Sequence, residues 1–331
     1  MSAPPTLVLT RRDVAALLDV DRCIAVVERA FRLHGEGRTQ PPGTLAVPAP
    51  PGGFHIKAGV LGLERAYFAA KTNANFPDNP RRHGLPTIQG VVVLADATTG
   101  LPLAILDSME LTALRTAAAT AVAAKHCARP GVRVATIVGC GTQGRAQLRA
   151  LRRVVPLERV LACDRDAGLA ARFAAELASE LGLEVRPVAE PGPAARESDI
   201  VVTCTPSRAP ILGPADVRPG AFIAAVGADH PDKQEIDPAL LAASTIIVDV
   251  LDQAATMGDL HHALAAGVVT RSDVYAELGE VVAGRKPGRR SPAETIVFDS
   301  TGMALQDVAA AAVVYQEAVR LGRGVPVRLG E

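Results

Sequence analysis

The chain has 331 residues, 48% of them hydrophobic, which is enough apolar content for a substantial buried core and about two domains rather than one. Lysine plus arginine and aspartate plus glutamate each number 35, so the formal charge is zero, and no long block of one sign accumulates. That balance speaks against nucleic acid and anionic membrane surfaces as main partners, and it leaves little charge repulsion to oppose self-association.

The opening "MSAPPTLVLTRRDV" lacks a basic region followed by an apolar run and a cleavage site, and no segment is apolar for long enough to span a bilayer. The five cysteines, Cys23, Cys127, Cys140, Cys163 and Cys204, are scattered without CxxC or metal-ligand spacing. They read as reduced core residues of a soluble, cytoplasmic protein.

The first hundred residues carry "GFHIKAG", "YFAAKTNANF" and "TIQGVVVLADATTGLPLAIL", strand-like runs joined by turns with no regular helix between them. This is an α+β region. In "GFHIKAG", His55 and Lys57 alternate with Phe54 and Ile56 and so share one strand face, which either lines a cleft or meets water. Lys71, flanked by small and apolar residues on the side of Tyr67 and Ala69, reads by default as a solvated edge lysine. The alanine-rich "SMELTALRTAAATAVAAKHCA" follows as a long connecting helix. Arg115 falls within its stripe of Leu111, Leu114, Ala118 and Val122, and a buried arginine requires an anion, either an internal carboxylate or a bound ligand.

Beyond residue 130, "RVATIVG", "RVLACD", "LEVRPVA", "DIVVTCT", "AFIAAVG" and "STIIVDV" read as six short strands with helical stretches between them. Two of those stretches are Thr142–Val154 and the segment ending at Gly182. Strands alternating with helices predict a parallel sheet covered on both faces, so the fold class is α/β, with a doubly wound Rossmann sheet beside the N-terminal region. The expected domains are 1–125, completed by the last helix at 303–331, and 126–302.

Gly139, Gly141 and Gly144 form a GxGxxG after the first of these strands and open its helix. In that context Gly139 makes the tight turn, Gly141 admits a pyrophosphate, Gly144 lets helix pack on strand, and the helix N-terminus offers amides to the phosphates. Asp164 ends the second strand, 20 residues after Gly144, where a carboxylate accepts from both ribose hydroxyls and repels a 2′-phosphate. NAD(H) is therefore favoured, and NADP(H) stays open because Arg165 could hold a phosphate. In such sheets the ligand lies outside the strand C-termini. Asp229, two residues past Gly227 at that edge, is either a solvated loop acid or a general acid/base. His261 and His262 invite a metal reading, but adjacent helical side chains point about 100° apart and no third ligand is spaced with them, so no metal is expected.

Seven blocks, "AAKTNANFPDNP", "GLPTIQGVVVLADATTGLPLAILD", "LTALRTAAATAVAAK", "IVGCGTQG", "VGADHPDKQEI", "GDLHHALAAG" and "FDSTGMALQD", together resemble the ornithine cyclodeaminase and mu-crystallin family over nearly the whole chain. The resemblance implies a homodimer built on the N-terminal substrate domain and an NAD(P)-binding Rossmann domain. It assigns Lys71 and Arg115 to a substrate carboxylate and Asp229 to acid/base work. By position it makes Thr116, Thr142, Gln143, Thr205, Val226 and Ser300 cofactor neighbours. The family usually carries an arginine in a "QPxRT"-like segment, where this chain reads "QPPGT" with Gly43. Substrate recognition is thus changed or redistributed, with His55 and Lys57 as compensating groups. The expected activity is an NAD(P)H-dependent imine reductase or amino-acid dehydrogenase acting at the α-carbon of a small amino acid or its imine. The alternatives are an ornithine or lysine cyclodeaminase that releases ammonia, and a non-catalytic nucleotide and small-ligand binder like mu-crystallin.

Overall fold

The computed structural model describes residues 4–329. It divides into two compact units, one formed by Met1–Arg115 with Met303–Glu331 and the other by Thr116–Gly302. The boundary falls inside the connecting helix Ser108–Cys127, earlier on that helix than the expected 125/126.

The first unit is a seven-stranded sheet. Its strands are β1 (Thr6–Leu9), β2 (Gly43–Ala49), β3 (Gly52–Gly62), β4 (Ala66–Asn75), β5 (Ile88–Asp96), β6 (Pro102–Asp107) and β17 (Val325–Val327), in the order β17-β1-β6-β5-β4-β3-β2. All neighbours are antiparallel except β1 and β6. Strand pairing sends alternate residues to opposite faces. On one face, His55 lies opposite Asn73, Lys57 opposite Lys71, and Leu61 opposite Tyr67. The C-terminal helix Ala304–Leu321 packs on β3, β4 and β5 and on the helix Val20–Gly35. A short helix, Asn79–His83, interrupts the expected all-strand run between β4 and β5; it has proline in its first turn and ends at Gly84 with φ of 64°. Only five residues long, it is too brief to leave a helical period in the sequence.

The second unit contains β7 (Val134–Val138), β8 (Arg159–Cys163), β9 (Glu184–Val188), β10 (Ile200–Thr203), β11 (Arg208–Leu212), β12 (Phe222–Ala225), β13 (Gln234–Ile236), β14 (Thr245–Val248), β15 (Val274–Glu277) and β16 (Ile296–Asp299). Eight of these form a parallel sheet ordered β15-β14-β16-β12-β10-β7-β8-β9, while β11 and β13 pair separately. The order reverses between β7 and β10, which makes the crevice there the topological switch point. Six strands are expected from the sequence, and the sheet has two more. The run at 244–250 takes the seventh place because β16 inserts between it and β12. All four residues of β16 are buried, as are those of β10 and β12, which places it in the interior of the sheet.

Candidate active site

In the first unit, Lys71 on β4 and Arg115 on the connecting helix meet at one carboxylate. Asp307, in the first turn of the C-terminal helix, accepts from Lys71 Nζ at 2.9 Å and from Arg115 Nε at 2.9 Å, both on Oδ1, while Lys71 Nζ also stands 2.9 Å from Oδ2. Arg115 Nη1 donates to Gln306 Oε1 at 3.0 Å. Lys71, Arg115, Gln306 and Asp307 are all buried, none more than 5% exposed. Lys71 is therefore no solvated edge lysine. β4 is an interior strand, paired on both sides by β3 and β5, and the C-terminal helix covers the face that carries Lys71.

Burial pushes the Lys71 ammonium down to about 7, helped by the Arg115 charge and opposed by Asp307. Burial works against ionisation of Asp307 as well, but Arg115 and Lys71 overcome it and hold the carboxyl below its ordinary range. Lys57, buried opposite Lys71, adds to the positive field at both groups. His55 lies one rung further along the same face, opposite Asn73, which accepts from Ser108 Oγ at 2.6 Å. Gly43 pairs with Ala58, and a Cβ there would meet only the Ala58 carbonyl, at 3.8 Å. Asp307 and Gln306 escape sequence reasoning although "ALQD" is visible, because 236 residues separate Lys71 from Asp307.

In the second unit, the glycine loop has the shape that the spacing predicts. Gly139 has φ of 103°, and Gly144 sits so close to the turn that a Cβ would stand 2.1 Å from the Gly139 carbonyl. A Cβ at Gly141 would meet nothing within 4 Å, so open space faces the loop. The helix Thr142–Val154 begins at Gly141 with no side-chain cap, leaving its first amides to an anion. Thr142 is exposed at that terminus and Gln143 is half-buried behind it, accepting from Gln147 at 3.4 Å. Asp164 is pinned by the Cys140 and Asp166 amides at 2.8 and 3.0 Å, and Arg165 beside it is exposed. Ser300 is buried at the end of β16 with a hydroxyl that has no partner, and Thr116 is buried in the connecting helix. Open loop, uncapped helix, fixed acid and orphaned hydroxyl together fit a dinucleotide.

Val226 and Asp229 follow β12. Asp229 is half-exposed, and Lys233 Nζ reaches its Oδ1 at 2.6 Å. Buried Glu235 ties the loop down. Its Oε2 accepts from the Gly227 amide at 2.8 Å, and its Oε1 accepts from the Thr205 amide and hydroxyl at 2.6 and 2.7 Å. His262 Nε2 donates to the Lys233 carbonyl at 2.9 Å, while His261 Nδ1 approaches the Ala255 carbonyl at 3.4 Å. The two rings are thus engaged with backbone oxygens of different segments.

The profile of the Ornithine cyclodeaminase/mu-crystallin family matches residues 5–321. The chain belongs to this family. Within it, the alanine dehydrogenase of Archaeoglobus fulgidus is 39% identical over 325 residues, covering 98% of each chain. An archaeal alanine dehydrogenase dimer with bound NAD superposes with a TM-score of 0.93 over 98% of this chain and 99% of that one, at 39% identity. The Δ1-pyrroline-2-carboxylate reductase of Thermococcus litoralis, in complex with NADH and L-proline, gives a TM-score of 0.92 at 32% identity, with 97% and 100% covered. This member of the cyclodeaminase/mu-crystallin family has the mixed architecture expected of it: a parallel Rossmann sheet and a separate, mainly antiparallel one.

Proposed function

We propose that this protein is an NAD(H)-dependent imine reductase or amino-acid dehydrogenase, exchanging hydride at the α-carbon of a small amino acid or its imine. The observation that carries the reading is the buried Lys71–Arg115 pair with one carboxylate between them, in a chain that also holds an open glycine loop. Two buried cations on one anion retain a positive charge, and a substrate carboxylate supplies the missing negative one. The full-length likeness to an alanine dehydrogenase and a pyrroline-2-carboxylate reductase supports the same class.

NADH, when bound, supplies hydride to the imine carbon. The glycine loop and the uncapped helix would hold its pyrophosphate, Asp164 the adenosine ribose, and Thr116, Thr205, Val226 and Ser300 its remaining length. Lys71 and Arg115 would grip the substrate carboxylate from two directions, fixing the rotation of the α-carbon, on which transfer depends. Asp229 would carry the proton of the reacting nitrogen, with Lys233 keeping its carboxylate oriented.

The other face of the first unit's sheet supports a homodimer. Leu45, Val47, Phe54, Val60 and Val91 are exposed there, and by strand alternation they share the face opposite Lys57 and Lys71. Exposed apolar residues gathered on one sheet face favour an interface there, and the similar alanine dehydrogenase is a dimer. A cytoplasmic setting is supported by the five free cysteines and by the lack of a helix long and apolar enough to cross a membrane among the described residues.

The test is absorbance of reduced nicotinamide with purified protein, NADH, and a panel of cyclic imines and 2-oxo acids with ammonia or methylamine. Net NADH oxidation that disappears in Asp229→Ala is the expected result. No oxidation across the panel overturns the reading, and ammonia release from ornithine or lysine with catalytic NAD would then identify a cyclodeaminase.

A further inference from the structure

The proposed clamp contains a carboxylate that no substrate supplies. Asp307 takes Lys71 Nζ and Arg115 Nε on the same oxygen, and its neighbour Gln306 takes Arg115 Nη1. These four side chains come from three elements, β4, the connecting helix and the C-terminal helix, and only the first turn of the last touches both cations. Without Asp307, two buried cations would face one another with no anion between them, and each would seek water or deprotonate.

We infer that Asp307 is the positioning residue of this site: it fixes the spacing of Lys71 and Arg115 and sets their combined charge at one positive unit, matched to a single carboxylate. This rests on the proposed reading that the pair binds the substrate carboxylate. Geometry gives the first half, since one carboxylate that binds two donors holds their nitrogens a fixed distance apart while the outer guanidinium edge and the other ammonium protons face away from it. Charge gives the second: Lys71 and Arg115 against one anion leave one positive charge at the pair, to which the field of Lys57 adds. Gln306 reinforces the arrangement through its oxygen, and its buried Nε2 has no partner, so this amide contributes a further donor at the same place.

The charged groups around Lys71 are Lys57 on β3, Arg115 on the connecting helix and Asp307 on the C-terminal helix, while Cys23 on the helix Val20–Gly35, whose thiol burial pushes up to about 12, feels Arg115 and Asp307. Of these, only Asp307 favours the ammonium over the neutral amine. Lys71 is cationic below about pH 7, so carboxylate binding is fully present below that pH and weakens above it. Taking away the Asp307 charge moves this limit to lower pH.

The experiment uses full-length protein labelled at lysine 13Cε, with the Lys71 signal assigned by its absence in Lys71→Met. In the wild type the signal should titrate near neutrality, and in Asp307→Asn at clearly lower pH. The same variant should raise KM for the carboxylate substrate about ten- to a hundredfold, the loss expected for charge-assisted hydrogen bonds, with its alkaline limb displaced to lower pH. Asp307→Glu, which keeps the charge, should leave the titration near neutrality and raise KM less. An unchanged Lys71 titration in Asp307→Asn, or a loss of kcat with KM untouched, would overturn the inference. Should the asparagine variant not fold, the glutamate variant decides: an unmoved KM overturns it, and a raised KM with a neutral-range titration supports it. A wild type inert toward every substrate would sink the proposed activity alone, because the 13C titrations still read the charge relationship.

Discussion

Glu235 accepts the Gly227 amide at 2.8 Å, and through this bond a buried acid on β13 governs the loop that carries Asp229. The same carboxylate takes the Thr205 amide and hydroxyl, so two strand-end loops share one anchor. Burial pushes the Glu235 carboxyl above its ordinary range, against the pull of these donors.

Glu235→Gln preserves shape but replaces one acceptor oxygen with an NH2, which cannot accept from Gly227 or Thr205. We expect kcat/KM to fall about ten- to a hundredfold, with a circular dichroism spectrum like that of the wild type. Steady-state kinetics would check this; wild-type kinetics in the variant would show that the loop needs no anchor.

Asp259 and Asp299 are buried together. Asp259 Oδ1 accepts the Glu235 and Ile236 amides, and Asp299 Oδ2 accepts the Leu260 amide, but Asp259 Oδ2 and Asp299 Oδ1 have no partner. Burial, with added repulsion from Glu235, pushes Asp259 up to about 7. The folded state therefore holds a proton that the unfolded chain has already lost between its ordinary 3.8 and about 7, so stability declines as pH rises through that window. Asp259→Asn removes the ionisation and places an NH2 donor within the acid pair. Thermal melts at pH 5 and pH 8 should show the variant gaining about 1–2 kcal/mol relative to wild type at the higher pH, with a flatter pH dependence.

Asp164 is held by two backbone amides, so its charge cannot swing away from a 2′-phosphate. Asp164→Ser should raise KM for NADH and improve NADPH relative to NADH by about tenfold or more, with Arg165 free to meet the phosphate. Parallel titrations with the two cofactors would measure it, and an unchanged preference would place the discrimination elsewhere.

The exposed apolar sheet face gives a prediction free of catalysis. Leu45→Glu with Val47→Lys puts charges at two positions that are 57% and 42% exposed, where a monomer would tolerate them and a buried interface would not. Light scattering should report a dimer for the wild type and a monomer for the double variant; a wild-type monomer would remove this surface from consideration.

Local sequence determined a good deal of this protein. The turn at Gly139, the close packing at Gly144, the uncapped helix after Gly141 and the acid at Asp164 are all consequences of contacts within about one βαβ unit, where glycine spacing and strand period leave little choice. Strand β16 escapes the sequence reading although it is as short and as fully buried as β10 and β12, which do not, so burial pattern alone does not account for the difference. Read from the residues, Lys71 and Arg115 are two separate cations, Arg115 needing an anion and Lys71 given over to solvent; the family resemblance joins them at a substrate carboxylate, and neither reading reaches Asp307. Which anion it is was decided by the tertiary structure. Asp307 lies 192 residues from Arg115 and 236 from Lys71, and only the packing of the C-terminal helix across β3, β4 and β5 brings them together. Burial then turns a charge count that sequence leaves undetermined into a specific electrostatic requirement, because ions removed from water must be balanced by neighbours that the fold supplies.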